Sequence, residues 1–339
     1  MVTSLQKARS RARDYDVICV GSSTVDVFAH TEANVVKIKT AISEEELIAY
    51  PVGSKILIRD LHFEVGGGGT NTAVAFARLG LKTGYLGNVG SDQNSNHILE
   101  VLSKEGISFA GQREGLAGYS VILDSIDEDR TILTFKGAND HLTLSPIRIK
   151  ALMPSWFYCS SMMGQSFDTL CKIARHAKAK KIKLAFNPSA YQAGLGVKAL
   201  RPILASTTIL AFNKEEAQLM LGKPTTSIPA LMHELHRFRI PYIAITDGKT
   251  GSYVSDKRQI LFSPPGKLKV VETTGAGDGF ASAFVAGIMQ GESLEICLRM
   301  GMIEAEQVVT HLGAKTALLS RNAMDKALRS DKHKIVHIH

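Results

Sequence analysis

From residue 150 onward the chain alternates short apolar runs with stretches of helical spacing. The runs "SWFYCSS", "IKLAFNPS", "TTILAFN" and "IPYIAITDG" each end in Ser, Asn or Asp-Gly, as buried strands do where they meet polar loops. Between them, "FDTLCKIARHAKAKK" and "IPALMHELHRFR" repeat apolar residues every three or four positions. Strands alternating with helices predict an α/β fold with a doubly wound, mostly parallel central sheet and flanking helices.

The first half is less regular. "DVICVGSSTVDVF" (Asp16 to Phe28) reads as one buried strand, and "SKILIRDLHFEV" (Ser54 to Val65) as a half-exposed strand pair. "GGGGTNTAVAFARLG" predicts a glycine turn, a helix and a C-terminal stop at Gly80. "KTGYLGNVG" predicts another strand and "NHILEVLSKEG" another helix, while "YSVILDSIDEDRTILTFK" predicts a hairpin about an acidic turn. The expected organisation is a basic disordered tail over 1–15, one domain over 16–325 and a C-terminal tail over 326–339. His333, His337 and His339 are expected in that frayed tail rather than on a metal.

Open parallel sheets bind ligands beyond the carboxyl ends of their strands. The polar residues ending the apolar runs are therefore candidate site residues: Asp26, Asn187, Asn213, Thr246 and Asp247.

The densest chemistry lies in "TTGAGDGFASAF", Thr273 to Phe284. A glycine turn entering a helix presents unpaired N–H groups to an anion. Asp278 stands on its edge and would repel a resting phosphate. Phosphoryl transfer reconciles the two, because amides stabilise charge on the migrating group while a carboxylate takes the proton of an acceptor hydroxyl. In the competing reading, Gly275 and Gly277 only shape the turn and Asp278 caps the helix.

Composition narrows the choice of partner. Of 339 residues, 45% are apolar and 21% charged, as in an ordinary soluble enzyme. The net charge of +8 is partly terminal, since "QKARSRAR" alone carries four basic residues. Aromatic residues do not interleave with basic ones, so nucleic acid is not an expected partner. Cys19, Cys159, Cys171 and Cys297 form no C-x-x-C pair and read as reduced thiols, which fits a cytoplasmic protein. No apolar run reaches the ~18 residues of a membrane span, so no membrane partner is expected. "DGKTGS" is not a P-loop, because Ile243 stands where that motif needs glycine.

Taken together, "GGGGTNTAVAFARLG" and "ETTGAGDGFASAFVAGI" resemble, in order, the two signatures of the PfkB, or ribokinase-like, carbohydrate kinase family. "FNPSAY", "AFNKEEAQLMLG" and "ITDGKTGSYV" resemble family segments between them, and the likeness spans roughly residues 16 to 320. It implies a ribokinase-like fold with a small β-sheet lid, matched by segments at about 30–65 and 118–137. It implies an ATP- and Mg²⁺-dependent kinase that phosphorylates a hydroxyl of a small sugar. ADP as donor, a nucleoside as acceptor and a catalytically silent sugar- or nucleotide-responsive regulator are the alternatives.

The resemblance assigns roles residue by residue. Asp278 matches the catalytic base, and Gly275, Ala276 and Gly277 match the loop that holds the developing phosphoryl charge. Asp26, Gly67, Gly68 and Asn71 match sugar-binding positions. Asn187, Asn213, Thr246 and Gly248 match nucleotide-binding positions, and Glu216 matches a glutamate that places magnesium through water. The residues themselves leave some choices open. Asp26 fits a polyol contact or a backbone cap, and Asn213 with Glu216 fits a phosphate site or a helix capping box.

Two positions depart from the family pattern. Glu272 replaces an aspartate beside a monovalent-cation site, which weighs against potassium activation. Gly68 replaces a lysine common in ribokinases, which weighs against ribose in particular. A homodimer through the exposed lid edge is a further expectation.

Overall fold

A computed structural model describes residues 14–39, 44–125, 130–311 and 313–338. The basic tail therefore lies outside the described residues except for Asp14 and Tyr15, as does the acidic hairpin turn at 126–129. The chain starts with β1 (Val17–Val20), β2 (Thr24–Lys39), β3 (Glu44–Ala49) and β4 (Ile58–Gly66). There follow α1 (Gly68–Arg78), β5 (Thr83–Leu86), α2 (Gln93–Lys104), β6 (Ser108–Phe109), β7 (Gly118–Ser125) and β8 (Arg130–Phe135). The middle comprises α3 (Pro146–Ala151), β9 (Trp156–Ser160), α4 (Gly164–Lys180), β10 (Lys183–Asn187), α5 (Ala190–Ala193) and α6 (Gly196–Leu204). Next come β11 (Ile209–Asn213), α7 (Lys214–Leu221), α8 (Ile228–His236), β12 (Tyr242–Thr246), β13 (Ser252–Ser255) and β14 (Ile260–Ser263). The chain closes with α9 (Ala276–Gln290), α10 (Leu294–Val309), α11 (Arg321–Ser330) and β15 (Val336–Ile338).

Among the described residues, ten strands form the large sheet in the order β15-β14-β13-β12-β11-β10-β9-β1-β5-β6. β1 pairs in parallel with β5 on one side and β9 on the other. The chain thus departs from β1 in both directions, and the crevice at that switch point is where such sheets place ligands. Both faces of the sheet are covered. Val17 and Cys19 enter one apolar cluster while Ile18 and Val20 enter the other, which is why β1 reads as a continuous apolar run. All four cysteines are buried and free. Among the described residues, no helix is long and apolar enough to cross a membrane.

Among the described residues, five strands make the smaller sheet, with the long β2 at its centre. Its first half lies between β4, antiparallel, and β7, parallel, and its second half pairs with β3. The sheet contributes exposed apolar side chains, including Leu61, Phe63, Leu133 and Phe135.

Three expectations about elements need correction. The run Asp16 to Phe28 is two strands in two different sheets, because the chain turns at Gly21–Ser23. A side chain on Gly21 would lie 2.7 Å from the Gly69 Cα, so the turn packs backbone against backbone at the root of α1. Asp26 therefore sits within β2 of the small sheet, not at the end of the first strand. The stretch Ser54 to Val65 holds one strand, β4, and its partner is β2.

The C-terminal segment does not fray. α11 runs to Ser330, and β15 extends the large sheet against β14 with Ile260 opposite Ile338. His333 is held between Asp331 Oδ1 and Glu306 Oε1. Its ring is not available to a metal, and charge pairing with backbone pairing fixes what composition alone would leave loose.

Candidate active site

A cavity of about 1090 Å³ opens at the carboxyl ends of the central strands. Ser22 and Gly68 line it from the region after β1, Ser160 from the end of β9, Asn187 from β10 and Asn213 from β11. Thr246, Asp247 and Gly248 line it from the end of β12, and Gly275 to Asp278 from the start of α9. Strand ends and one helix start therefore converge on a single space.

The α9 entry is shaped by Gly275, whose φ of 84° is left-handed. A side chain there would come within 2.4 Å of the Ala314 Cβ, so glycine is required twice over. Ala276 N donates to Thr273 O at 3.3 Å, and Gly279 N to Gly275 O at 2.8 Å. Among the described residues, the N–H groups of Gly277 and Asp278 have no carbonyl partner, as expected in a first helical turn. The N–H of Ala276 is thus turned back to close the bend itself. The N–H groups left without a carbonyl partner are those of Gly277 and Asp278. Open space surrounds Gly277, since a side chain there would meet nothing within 4 Å.

Asp278 is half-buried and lines the cavity. Asn71 Nδ2 donates to its Oδ2 at 3.0 Å. Burial pushes its carboxyl up to about 6, against the Asn71 hydrogen bond and the charge of Lys315, both of which pull it down. Desolvation thus outweighs the favourable helix N-terminus. The result is a carboxyl whose ionisation lies close to neutral pH, a property that a general base would need.

The sugar-side expectations fall on one neighbourhood, though not all on the cavity wall. Gly68 is on the wall, and a side chain there would sit 3.7 Å from Asp278 Oδ1 and 3.3 Å from Ser160. Gly67 stands behind it with φ 99°, where a side chain would strike Ser22 O at 2.6 Å. Asn71 reaches the site through Asp278. Asp26 faces Glu64 across β2–β4 and Ser120 across β2–β7. Its Oδ1 is buried without a hydrogen-bond partner among the described residues. Burial raises the Asp26 carboxyl, opposed by the hydroxyls of Thr24 and Ser120. An unsatisfied buried oxygen of this kind is costly and is suited to a ligand hydroxyl.

The nucleotide-side expectations all lie along the cavity. Asn187 Nδ2 donates to Ala211 O at 2.7 Å, tying β10 to β11. Asn213 Oδ1 accepts from Glu216 N at 2.7 Å, and Glu216 Oε2 accepts from Asn213 N at 3.0 Å. The capping box is therefore real and starts α7. It does not exclude a second role, because both residues also line the cavity. Burial pushes the Glu216 carboxyl up to about 7, helped by the charge of Asp278. Asp247 is engaged by Lys214 at 3.1 Å.

No group of three or more His, Cys, Asp or Glu converges among the described residues to cage a metal. A magnesium ion that arrives on nucleotide phosphates and keeps its waters needs no such cage. Glu216, facing the cavity with one oxygen committed to its cap, fits that kind of ion.

Lys315 was not singled out by the sequence. It is 8% exposed, and its Nζ donates to Asn71 Oδ1 at 2.9 Å and to Val65 O. The only signal was one lysine between small residues in "LGAKTALL". Asn139 was likewise passed over, although its side chain exchanges two bonds with the Ser23 backbone, each 2.8 Å, and holds the turn between the sheets.

A large, mostly parallel sheet covered on both faces and a smaller separate sheet make this a ribokinase-like α/β fold. The chain matches the pfkB family carbohydrate kinase pattern over residues 17–321, and it belongs to that family. It is an enzyme of the sugar and nucleoside kinase type. Ribokinase of Bacillus subtilis is 27% identical over 288 residues, covering 81% of this chain and 92% of that protein. The structure of Arabidopsis thaliana ribokinase complexed with ribose and ATP superposes with a TM-score of 0.76 at 21% identity, over 93% of this chain and 99% of that one. The Burkholderia thailandensis nucleoside kinase in complex with inosine gives 0.73 at 18%, over 93% and 98%.

Proposed function

We propose that this protein transfers the γ-phosphoryl group of ATP to a hydroxyl of a small sugar, with Asp278 as the base. The observation that carries this is the placement of Asp278. It is an acid with a near-neutral carboxyl, next to two free N–H groups of the same helical turn, on the wall of one cavity. The acceptor hydroxyl would lie between Gly68 and Asp278, with Asp26 holding a neighbouring hydroxyl. Asp278 takes the hydroxyl proton onto a carboxylate oxygen as the hydroxyl oxygen attacks the γ-phosphorus in line, and the bond from that phosphorus to the bridging oxygen breaks to release ADP. The Gly277 and Asp278 N–H groups receive the charge that grows on the transferred group. Asn187, Asn213, Thr246 and Gly248 line the side where the nucleotide would extend. Glu216 would hold Mg²⁺ through water, and the bound ion would neutralise phosphate charge.

Support for a sugar acceptor comes from Asp26, whose unpartnered oxygen suits a polyol, and from relatives named as ribokinases. The test is a coupled assay of ATP and ADP consumption against ribose, fructose, ketodeoxy acids, adenosine and cytidine. Transfer to a sugar that falls by about 10²–10⁴ in Asp278→Asn is the expected result. Faster transfer to a nucleoside would move the acceptor class. Sugar binding without any nucleotide consumption would replace the enzyme reading by a regulatory one.

A further inference from the structure

The root of the small sheet concentrates negative charge. Asp26 on β2 lies directly opposite Glu64 on β4, an arrangement of like charges that is unfavourable in a sheet. Asp278 of α9 adds a third carboxylate nearby. Lys315, from the loop between α10 and α11, lies among them. It feels the attraction of Asp26, Glu64 and Asp278 and the repulsion of Arg78 from α1.

The loop that carries Lys315 is clamped from two sides. Glu64 Oε1 accepts from Thr316 Oγ1 at 3.1 Å, and Arg78 Nη1 donates to Lys315 O at 2.9 Å and Leu318 O at 3.1 Å. Its ammonium group is thereby fixed against Val65 O and Asn71 Oδ1. An ammonium group has only donors, so the side-chain oxygen of Asn71 must face it. The NH₂ of Asn71 is then forced onto Asp278 Oδ2, where it is found at 3.0 Å.

We propose that Lys315 is a positioning residue for phosphoryl transfer, which orients the Asn71 amide and holds Asp278 ionised through its buried positive charge. The inference rests on Asp278 being the base. Lys315 touches neither reacting atom; it acts through Asn71 and through its field. The other charged or titratable groups facing Asp278 are Glu216 of α7 and Tyr158 of β9. Neither is positive, so the compensation falls to Lys315. Burial lowers the Lys315 ammonium to about 8, which leaves it charged at neutral pH.

The test uses the full-length protein without ligands. Asp side-chain carboxyl carbons are labelled and titrated by NMR in wild type and in Lys315→Met, which removes the charge and keeps the length. Asp278 is identified by the signal missing from Asp278→Asn. The expected result is an Asp278 midpoint about one pH unit higher in Lys315→Met and near its original value in Lys315→Arg. An unmoved midpoint in Lys315→Met overturns the proposal. If Lys315→Met does not fold by circular dichroism, Lys315→Gln carries the same comparison with the same two outcomes. Phosphoryl transfer by the wild type to the sugars and nucleosides above is measured in parallel. Transfer abolished by Asp278→Asn with an unmoved midpoint sinks only the role of Lys315. Transfer unaffected by Asp278→Asn sinks the reading of the base itself.

Discussion

Gly68 stands face to face with Asp278, and a single methyl group at Gly68 would come within 3.7 Å of Oδ1 and 3.3 Å of the Ser160 side chain. In the proposed function, the bare backbone at the start of α1 would form the floor on which an acceptor hydroxyl meets its base. Gly68→Ala should fold, since Ser160 has to yield only a few tenths of an ångström. Its acceptor KM should rise by roughly tenfold, about 1.4 kcal/mol of lost binding, with the KM for ATP within twofold of wild type. Steady-state kinetics with each substrate varied in turn checks the split. A changed ATP KM with an unchanged acceptor KM would contradict this placement of the acceptor.

The Asp278 carboxyl is raised by burial to about 6 from 3.8, which sets two signs. The base is active only when ionised, so the kcat/KM for acceptor should fall below about pH 6 on an acid limb of slope one. For folding, a raised carboxyl favours the protonated native state. Its burial costs stability above pH 6, and that cost fades as the pH falls through 6 towards 4. Asp278→Asn should therefore melt a few degrees above wild type at pH 8, with the gap narrowing below pH 6 and closing towards pH 4. Thermal melts across that range would refute the sign if the variant proved less stable at pH 8.

A substitution at Gly277 would separate phosphate handling, as proposed, from folding. A side chain there meets nothing within 4 Å, and alanine is the better helix former. Gly277→Ala should leave the melting temperature unchanged or slightly raised. It would place a methyl group where the transferred phosphoryl is to sit, and kcat/KM for ATP should drop by at least tenfold. Loss of stability with normal turnover would show that the glycine serves the fold alone.

Glu216 and Asn213 share a capping box and a cavity wall, and two substitutions tell the roles apart. Glu216→Gln keeps an oxygen for the Asn213 N–H, so stability should stay within about 0.5 kcal/mol. Without its charge, the magnesium concentration giving half-maximal rate should rise several-fold. Asn213→Ala removes the cap and should cost about 1 kcal/mol. Denaturant melts and magnesium titrations of both variants supply the comparison. An unshifted magnesium requirement in Glu216→Gln would reduce this glutamate to a helix cap.

The sheet strands and the α9 turn were legible because their information is local. β9 to β12 are short apolar runs with polar ends, and Thr273–Phe284 carries its glycines and its acid within one bend. The split between β1 and β2 was not legible. Gly21–Ser23 interrupts an otherwise continuous apolar run only because Gly69 packs against Gly21, a contact across 48 positions. β15 escaped notice for a similar reason, since three residues become a strand only when β14 offers an edge.

Residue types and short spacings alone established a doubly wound α/β fold, the identity of the acid in the late turn and the set of strand-end polar residues; the resemblance to a family added the kinase reading. Tertiary structure alone decided which amides of that turn remain free, that Asp26 faces Glu64, and that Lys315 reaches Asn71 from 244 positions away. Periodicity reports which side of an element is buried. Charge compensation depends on distances through space, and only the folded chain sets those.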